Sequence, residues 1–259
     1  MSNWVRFAYD DDIHFGVLEG GLIVEYEGAL FGDNTPSEKQ FDLKDVTVLS
    51  PCAPSKIVAL WNNFHALAEK QKNKIPDAPL YFIKPSSCVI GPEASIVKPS
   101  SYPGRIFYEG ELGIVIGETC RSVSEADALS RVKGYTCVND VTAMQLIRED
   151  ESFEQWTRAK SFDTFGPLGP SIAELDDPGQ LRIKTLVNGR ERQNYEAADM
   201  IFSPAKLVSL ISRDMTLEPG DVIACGTSLG ALPMKEGTVV EVTIEGIGTL
   251  RNRYVEQAG

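Results

Sequence analysis

One segment limits what this chain can fold into more than any other, and it begins with two glutamates, Glu109 and Glu111. Residues 112–116, which follow, are apolar on both faces apart from glycine, and this pattern predicts a strand buried on both sides. Side chains two residues apart in a strand point to the same face, so the two carboxylates would lie side by side. Burying unpaired carboxylates is costly, and a bound divalent cation with oxygen ligands is the simplest remedy. The alternative is a solvated strand face.

The composition restricts the class of protein. A chain of 259 residues, 42% hydrophobic and 24% charged, can build a large core, as one domain or as one domain with a smaller second one. We expect no signal peptide and no segment that crosses a bilayer. The five cysteines are scattered without a Cys-x-x-Cys pair, which predicts reduced thiols and a cytoplasmic location. The net charge of −12 disfavours nucleic acids and anionic membranes as partners, so an anionic substrate would need a locally positive site.

The order of predicted elements indicates an α+β fold that is rich in strands. Residues 1 to about 50 contain short strands and turns, and Pro51 and Pro54 mark a break. A helix is predicted from Ser203-Pro204, with serine as N-cap and proline in the first turn. We therefore predict a small N-terminal β-domain over residues 1–52 and a larger catalytic domain over residues 53–259.

A third carboxylate follows another predicted strand. Asp140 ends an apolar run at a strand-to-loop junction, where functional side chains often lie. An Asx-type turn or helix cap would also explain an aspartate there. Together with Glu109 and Glu111, Asp140 completes a set of three oxygen ligands that suits Mg²⁺ or Mn²⁺.

Two further positions are candidates for binding an anionic substrate. Lys160 lies among aromatic residues and glycine, and it would hold an anion beside the metal, although a solvated loop lysine is the simpler interpretation. Gly226 and Thr227 offer backbone N–H groups and a hydroxyl at the end of a predicted strand, which suits a carboxylate. A plain turn is the alternative.

Only two histidines, His14 and His65, are available for imidazole chemistry. His65 and Glu69 are four residues apart on a predicted helix, so they can face each other. A carboxylate beside an imidazole can orient it and raise its basicity, as a general base requires. An ordinary surface pair on a helix is the alternative.

Several motifs from about residue 56 to the C-terminus together resemble the fumarylacetoacetate hydrolase family, in the branch of acylpyruvate hydrolases and 2-hydroxyhepta-2,4-diene-1,7-dioate isomerases. These motifs are Tyr108-Glu109-Gly110-Glu111-Leu112, Asn139-Asp140-Val141, Trp156-Thr157-Arg158-Ala159-Lys160-Ser161-Phe162-Asp163, Val187-Asn188-Gly189, Asp199-Met200-Ile201-Phe202-Ser203, Leu217-Glu218-Pro219-Gly220-Asp221 and Gly246-Ile247-Gly248.

The resemblance implies a mixed β-sandwich roll, a homodimer, and Mg²⁺ or Mn²⁺ held by the three carboxylates. It also implies that Lys160 and Thr227 contact the substrate and that His65 belongs to the active site. The chain departs from the family pattern in the predicted helix. The glutamate that accompanies the histidine usually follows it by three residues, where this chain has Ala68, and Glu69 comes one position later.

Together with these residues, the resemblance implies a divalent-metal-dependent hydrolase that cleaves a C–C bond in an acylpyruvate-type 2,4-diketo acid of aromatic catabolism, similar to fumarylpyruvate or maleylpyruvate. His65, oriented by Glu69, would activate the water, and an enolate would be the leaving group. The same enolate would serve an isomerase, a tautomerase or a decarboxylase of hydroxymuconate-, heptadienedioate- or oxaloacetate-like acids. A catalytically silent protein that binds 2-oxo acids is the alternative of another class.

Overall fold

A computed structural model describes residues 2–256 and shows a strand-rich fold with few helices. The strands are β1 (Asn3–Tyr9), β2 (Asp12–Glu19), β3 (Leu22–Gly28), β4 (Asn34–Asp42), β5 (Thr47–Val48), β6 (Lys56–Trp61), β7 (Leu80–Pro85), β8 (Val89–Ile90), β9 (Ser95–Lys98), β10 (Ile106–Phe107), β11 (Gly110–Ile116), β12 (Val132–Asn139), β13 (Thr142–Ala143), β14 (Gly166–Ala173), β15 (Arg182–Val187), β16 (Arg190–Glu196), β17 (Val222–Ala224), β18 (Val239–Ile244) and β19 (Gly248–Glu256). The α-helices are α1 (His65–Gln71), α2 (Glu125–Ala128), α3 (Trp156–Lys160) and α4 (Pro204–Asp214).

Two large sheets form the body of the fold. The first has the order β4-β3-β2-β1-β14-β12-β11-β17-β6-β7, and β5 and β8 pair with β1 and β14 beside this path. The second has the order β16-β15-β18-β19-β9, and its strands β15, β18 and β19 pack against β11, β12 and β14 of the first. This arrangement confirms the predicted α+β class with a mixed β-sandwich.

Strand β11 lies at the centre of the large sheet. It pairs antiparallel with β12 on one side and with β17 on the other, and all seven of its residues are buried. The sandwich explains the burial of one face of β11, because the second sheet covers that face of the large sheet. The predicted doubly buried strand is confirmed, but it begins at Gly110, so Glu109 immediately precedes it.

The N-terminal strands extend the large sheet. Strand β1 pairs with β14 through Asn3↔Ala173 and Trp4↔Ile172. A small separate core fills the N-terminal part and consists of Val5, Phe7 and Ile23. The division of the chain at residue 52 stays a prediction, because the sheet continues across it.

Helix α4 begins as the sequence predicts. The Oγ atom of Ser203 accepts a hydrogen bond from the backbone N–H of Lys206 at 3.3 Å, and Pro204 is the first helical residue. Three apolar side chains of α4 are fully buried, namely Leu207, Val208 and Ile211. No helix within residues 2–256 is long and apolar enough to span a membrane. All five cysteines are buried and unpaired.

Candidate active site

The fold brings the three predicted carboxylates together. Strands β11 and β12 pair with Gly110 opposite Asn139, so Glu109 at the start of one strand meets Asp140 at the end of the other. The backbone N–H of Asp140 donates to the carbonyl oxygen of Glu109 at 2.8 Å. One carboxylate oxygen each from Glu109, Glu111 and Asp140 lie within 4.8 Å of one another. The register of two antiparallel strands therefore builds an acidic cluster of these three residues.

Two buried lysines accompany the acidic cluster. The Nζ atom of Lys160 donates to Glu109 Oε2 at 2.6 Å and also to Asp140 Oδ2. Lys84 Nζ lies 2.7 Å from Asp140 Oδ1 and donates to the backbone carbonyl of Lys160 at 2.6 Å. Asp140 therefore lies between two ammonium groups, of which only Lys160 was expected from the sequence.

Burial and charge shift the pKa values of this site in opposite directions. Burial raises the pKa of Glu111 well above its ordinary value, and the charge of Asp140 adds to the effect. Burial also raises the pKa of Glu109, although the positive charge of Lys160 partly offsets this increase. Burial alone would raise the pKa of Asp140, but the charges of Lys160 and Lys84 outweigh it and lower that pKa. Burial opposes the charged form of Lys160, yet Asp140 and Glu109 raise its pKa, so this lysine stays protonated.

The donor set fits a hard divalent cation. Glu111 Oε2 accepts a hydrogen bond from the backbone N–H of Gly226 at 2.9 Å, whereas Glu111 Oε1 is buried without a hydrogen-bond partner among the residues described. When all three carboxylates are ionised, as metal ligands would be, the two ammonium groups leave one formal negative charge at the site. A divalent cation with oxygen ligands would satisfy the unpartnered oxygen and would change the formal charge of the site from −1 to +1. Glu109, Glu111 and Asp140 are the residues that would hold it.

Gly226 and Thr227 lie beside the acidic cluster, but the Gly226 N–H and the Thr227 hydroxyl already form hydrogen bonds within the protein. The Gly226 N–H is bonded to Glu111, as described above. The Thr227 hydroxyl donates to the carbonyl oxygen of Gly110 at 3.1 Å and accepts from Gln193 Nε2 at 2.8 Å. Gln193 Oε1 in turn accepts from the Gly110 N–H at 3.0 Å. Gln193, which the sequence did not suggest, thus fixes the Thr227 loop to β11, and a substrate contact by Gly226 or Thr227 stays a prediction.

A cavity of about 700 Å³ leads to the acidic cluster. Glu109 and Lys160 line its inner end, where Lys160 is 2% exposed, and Thr227 lines one side. Its aromatic lining includes Trp61, Phe82, Phe107 and Trp156. The volume is in the range of ordinary small-molecule sites.

His65 and Glu69 do not line this cavity. Both are exposed, and no hydrogen bond joins them in the described part of the chain. Helix α1 instead turns Leu67, Lys70 and Gln71 toward the cavity. Residues three and four positions apart share one helix face, which explains why this set excludes His65 and Glu69. The structure therefore does not place the predicted general base beside the acidic cluster.

Comparison with known proteins identifies the class of enzyme to which this fold and cavity belong. The family described as fumarylacetoacetate (FAA) hydrolase C-terminal matches residues 56–255, and the family described as Rv2993c-like, N-terminal matches residues 3–51. The chain therefore belongs to the fumarylacetoacetate hydrolase family, whose members are hydrolases and isomerases.

Three relatives illustrate the range of activities. The crystal structure of 2-hydroxyhepta-2,4-diene-1,7-dioate isomerase from Mycobacterium marinum is 37% identical and superimposes with a TM-score of 0.91 over 100% of both chains. Oxaloacetate tautomerase YisK of Bacillus subtilis is 36% identical over 82% of this chain and 74% of its own length. Maleylpyruvate hydrolase from Sphingobium, solved with manganese and pyruvate, is 28% identical with a TM-score of 0.81 over 99% of this chain and 100% of its own.

Metal binding by the acidic cluster should depend on pH. Glu111 and Glu109 have raised pKa values, so ionising them lowers the free energy of unfolding of the metal-free protein as pH rises above the ordinary pKa of 4.5. A bound cation stabilises the ionised carboxylates and offsets this loss. We expect the rise in Tm caused by Mn²⁺ to be larger at about pH 8 than at about pH 5. Calorimetric titrations in buffers of different ionisation enthalpy should detect proton release on binding. Equal Tm shifts at both pH values with no proton release would contradict this prediction.

Proposed function

We propose that this protein is a divalent-cation-dependent enzyme that forms the enolate of a small anionic 2-oxo acid and isomerises or tautomerises it. The observation that carries the proposal is the acidic cluster of Glu109, Glu111 and Asp140, of which Glu109 lines the cavity together with the protonated Lys160. When bound, Mg²⁺ or Mn²⁺ would supply Lewis-acid polarisation of the 2-oxo group and orient the substrate.

Lys160 is the residue best placed to stabilise negative charge on the substrate. Its ammonium group is buried and held by Glu109 and Asp140, and it contacts the Phe82 ring face with 5.1 Å between Nζ and the ring centroid. A protonated lysine in this environment donates hydrogen bonds and does not remove protons. A donor fixed in advance where charge develops lowers the reaction barrier, because it need not reorganise during the reaction.

The side chains around the cavity favour chemistry that needs no activated water. Neither histidine of the chain lines it: His65 is exposed, and His14 lies in the N-terminal part with Nδ1 2.7 Å from Glu25 Oε1. Isomerisation and tautomerisation of a 2-oxo acid form the enolate by losing a C–H proton, which would pass to solvent water in the open cavity, and decarboxylation forms it by losing CO₂. None of the three needs an attacking water. The isomerase and tautomerase relatives support this choice.

Hydrolysis of an acylpyruvate is the second candidate. The maleylpyruvate hydrolase that superimposes on this chain was solved with manganese and pyruvate. This candidate requires a general base, and His65 with Glu69 is the pair that the sequence offers. Helix α1 would have to turn His65 toward the cavity for that role.

Removal of the metal and two substitutions test the proposal. We expect enolisation of oxaloacetate, followed by ultraviolet absorbance, to disappear in chelator-treated protein and to return with Mg²⁺ or Mn²⁺. Lys160→Met should lower kcat by about 10²–10³-fold, as the loss of one preorganised donor does. His65→Ala should leave kcat within about twofold, because His65 does not reach the cavity.

The same assay distinguishes the alternatives. Loss of acylpyruvate cleavage in His65→Ala, with unchanged folding, would favour the hydrolase. Full activity in chelator-treated protein would refute the proposal. Absence of turnover with every 2-oxo acid, combined with tight pyruvate or oxalate binding, would favour a silent binding protein.

A further inference from the structure

The charged side chains that line the cavity are mostly cationic. They are Lys70, Arg148 and Lys160, against a single carboxylate, Glu109. The whole chain has a net charge of −12, so this local excess of positive charge is opposite to the general surface. A cavity of this kind attracts anions, and the question is which of its cations has a free ammonium or guanidinium group.

Two of the three cations already have carboxylate partners. Lys160 is bonded to Glu109, and Arg148 Nε lies 3.2 Å from Glu154 Oε1. Lys70 forms no ion pair with any of residues 2–256. Lys70 is also exposed whereas Lys160 is buried, so the two ammonium groups mark the mouth and the inner end of the cavity.

A plain structural explanation for Lys70 exists. It lies in the last turn of α1, where a positive charge interacts favourably with the helix carbonyl groups. That explanation accounts for a positive charge at the end of α1, but it does not explain why the side chain of Lys70 lines the cavity. Lys70 shares its helix face with Leu67 and Gln71, and all three line the cavity.

We propose that Lys70 is a specificity-determining residue that binds a second anionic group, at the end of the substrate farthest from the 2-oxo acid. This inference rests on the proposed function, because it takes the acidic cluster to bind the 2-oxo acid end. The preferred substrate is then a 2-oxo dicarboxylic acid. The cavity wall beside Lys160 includes Phe82 and Trp156, with ring centroids 5.7 Å apart, and this wall suits an apolar or unsaturated carbon chain between the two charged ends.

A matched pair of ligands tests the role of Lys70 by binding as well as by turnover. Trp61 and Trp156 line the cavity, so tryptophan fluorescence of the Mn²⁺-loaded protein reports occupancy. We would measure Kd for 2-oxoadipate and for 2-oxohexanoate, which have equal chain lengths and differ in the terminal carboxylate. Lys70→Met should weaken 2-oxoadipate binding by roughly ten- to a hundredfold, the range for a hydrogen bond to a charged group, and leave 2-oxohexanoate unchanged.

Two further variants serve as controls. Lys70→Arg should retain the preference for the diacid. Lys74→Met removes the same charge three residues beyond α1, from a side chain that pairs with Asp77 and does not line the cavity, and it should leave both Kd values unchanged.

The outcomes separate the two proposals. An equal change for both ligands in Lys70→Met, or no change for either, would overturn the role of Lys70. A similar loss in Lys74→Met would show a general charge effect and would also overturn it. Wild-type protein that prefers the diacid through Lys70 but turns over no 2-oxo acid would refute the proposed function and leave the anion-binding role of Lys70 supported.

Discussion

Glu111→Gln should strongly weaken divalent-metal binding and lower activity while leaving the metal-free protein at least as stable as the wild type. Glutamine is the neutral isostere of a protonated glutamate, and burial already favours the protonated form of Glu111. The variant keeps an oxygen that can accept the Gly226 N–H bond but removes the charge that a cation requires. Metal affinity should fall by about a hundredfold or more, since changes to groups that merely support metal ligands already cost about 10–100-fold.

Two measurements on purified protein check this expectation. Calorimetric titration with Mn²⁺ gives the affinity, and urea denaturation in the presence of a chelator gives the free energy of unfolding. Glu118→Gln is a matched control, because Glu118 is an exposed residue that pairs with Arg131 far from the cavity. Unchanged Mn²⁺ affinity in Glu111→Gln would exclude Glu111 as a ligand.

Lys84→Met should lower the free energy of unfolding of the metal-free protein by about 3–5 kcal/mol, the usual cost of removing one partner of a buried ion pair. Lys84 is fully buried, so no water can replace its contact with Asp140 or its hydrogen bond to the carbonyl of Lys160. Methionine has a similar length, which limits the effect of an empty space. The loss should therefore report the charge and the hydrogen bond.

The exposed pair of Lys74 and Asp77 supplies the comparison. Lys74→Met makes the same chemical change where the side chains are 83% and 91% exposed, and it should cost at most about 1 kcal/mol. Urea denaturation of both variants under identical conditions gives the difference. Equal costs at the two positions would show that Lys84 is not a structural part of the acidic cluster.

Local sequence patterns predicted much of this fold and part of the site. The apolar segment after Glu111 predicted the central strand, and Ser203 with Pro204 predicted the start of α4, because burial and capping depend on neighbouring residues. The three carboxylates were predicted for a related reason. Buried acidic side chains at strand ends need a partner, whichever strands turn out to be adjacent.

The orientation of α1 could not be predicted in this way. The spacing of His65 and Glu69 places them on one side of a helix, but it does not say which side faces the cavity. That choice depends on tertiary contacts such as the hydrogen bond from the Ala66 N–H to Asp199 Oδ2 at 3.0 Å. These two residues are 133 positions apart in sequence.

Lys84 and Gln193 were missed for different reasons. Lys84 lies in β7, which runs from Leu80 to Pro85 and buries both Phe82 and Lys84. The two-residue period of a strand could have identified this lysine as inward-facing. Gln193 comes from the second sheet, and only the packing of the two sheets brings it to Gly110.

The pairing of β1 with β14 has a consequence for aggregation. Strand β14 pairs with β12 along one edge. Its other edge pairs with β8 at Gly166 and Pro167 and with β1 at Ile172 and Ala173. Unpaired strand edges invite pairing with other chains. The N-terminal segment therefore covers part of an edge of the large sheet that would otherwise be unpaired. Removal of this segment would expose that edge, and strands from further copies of the chain could then pair with it.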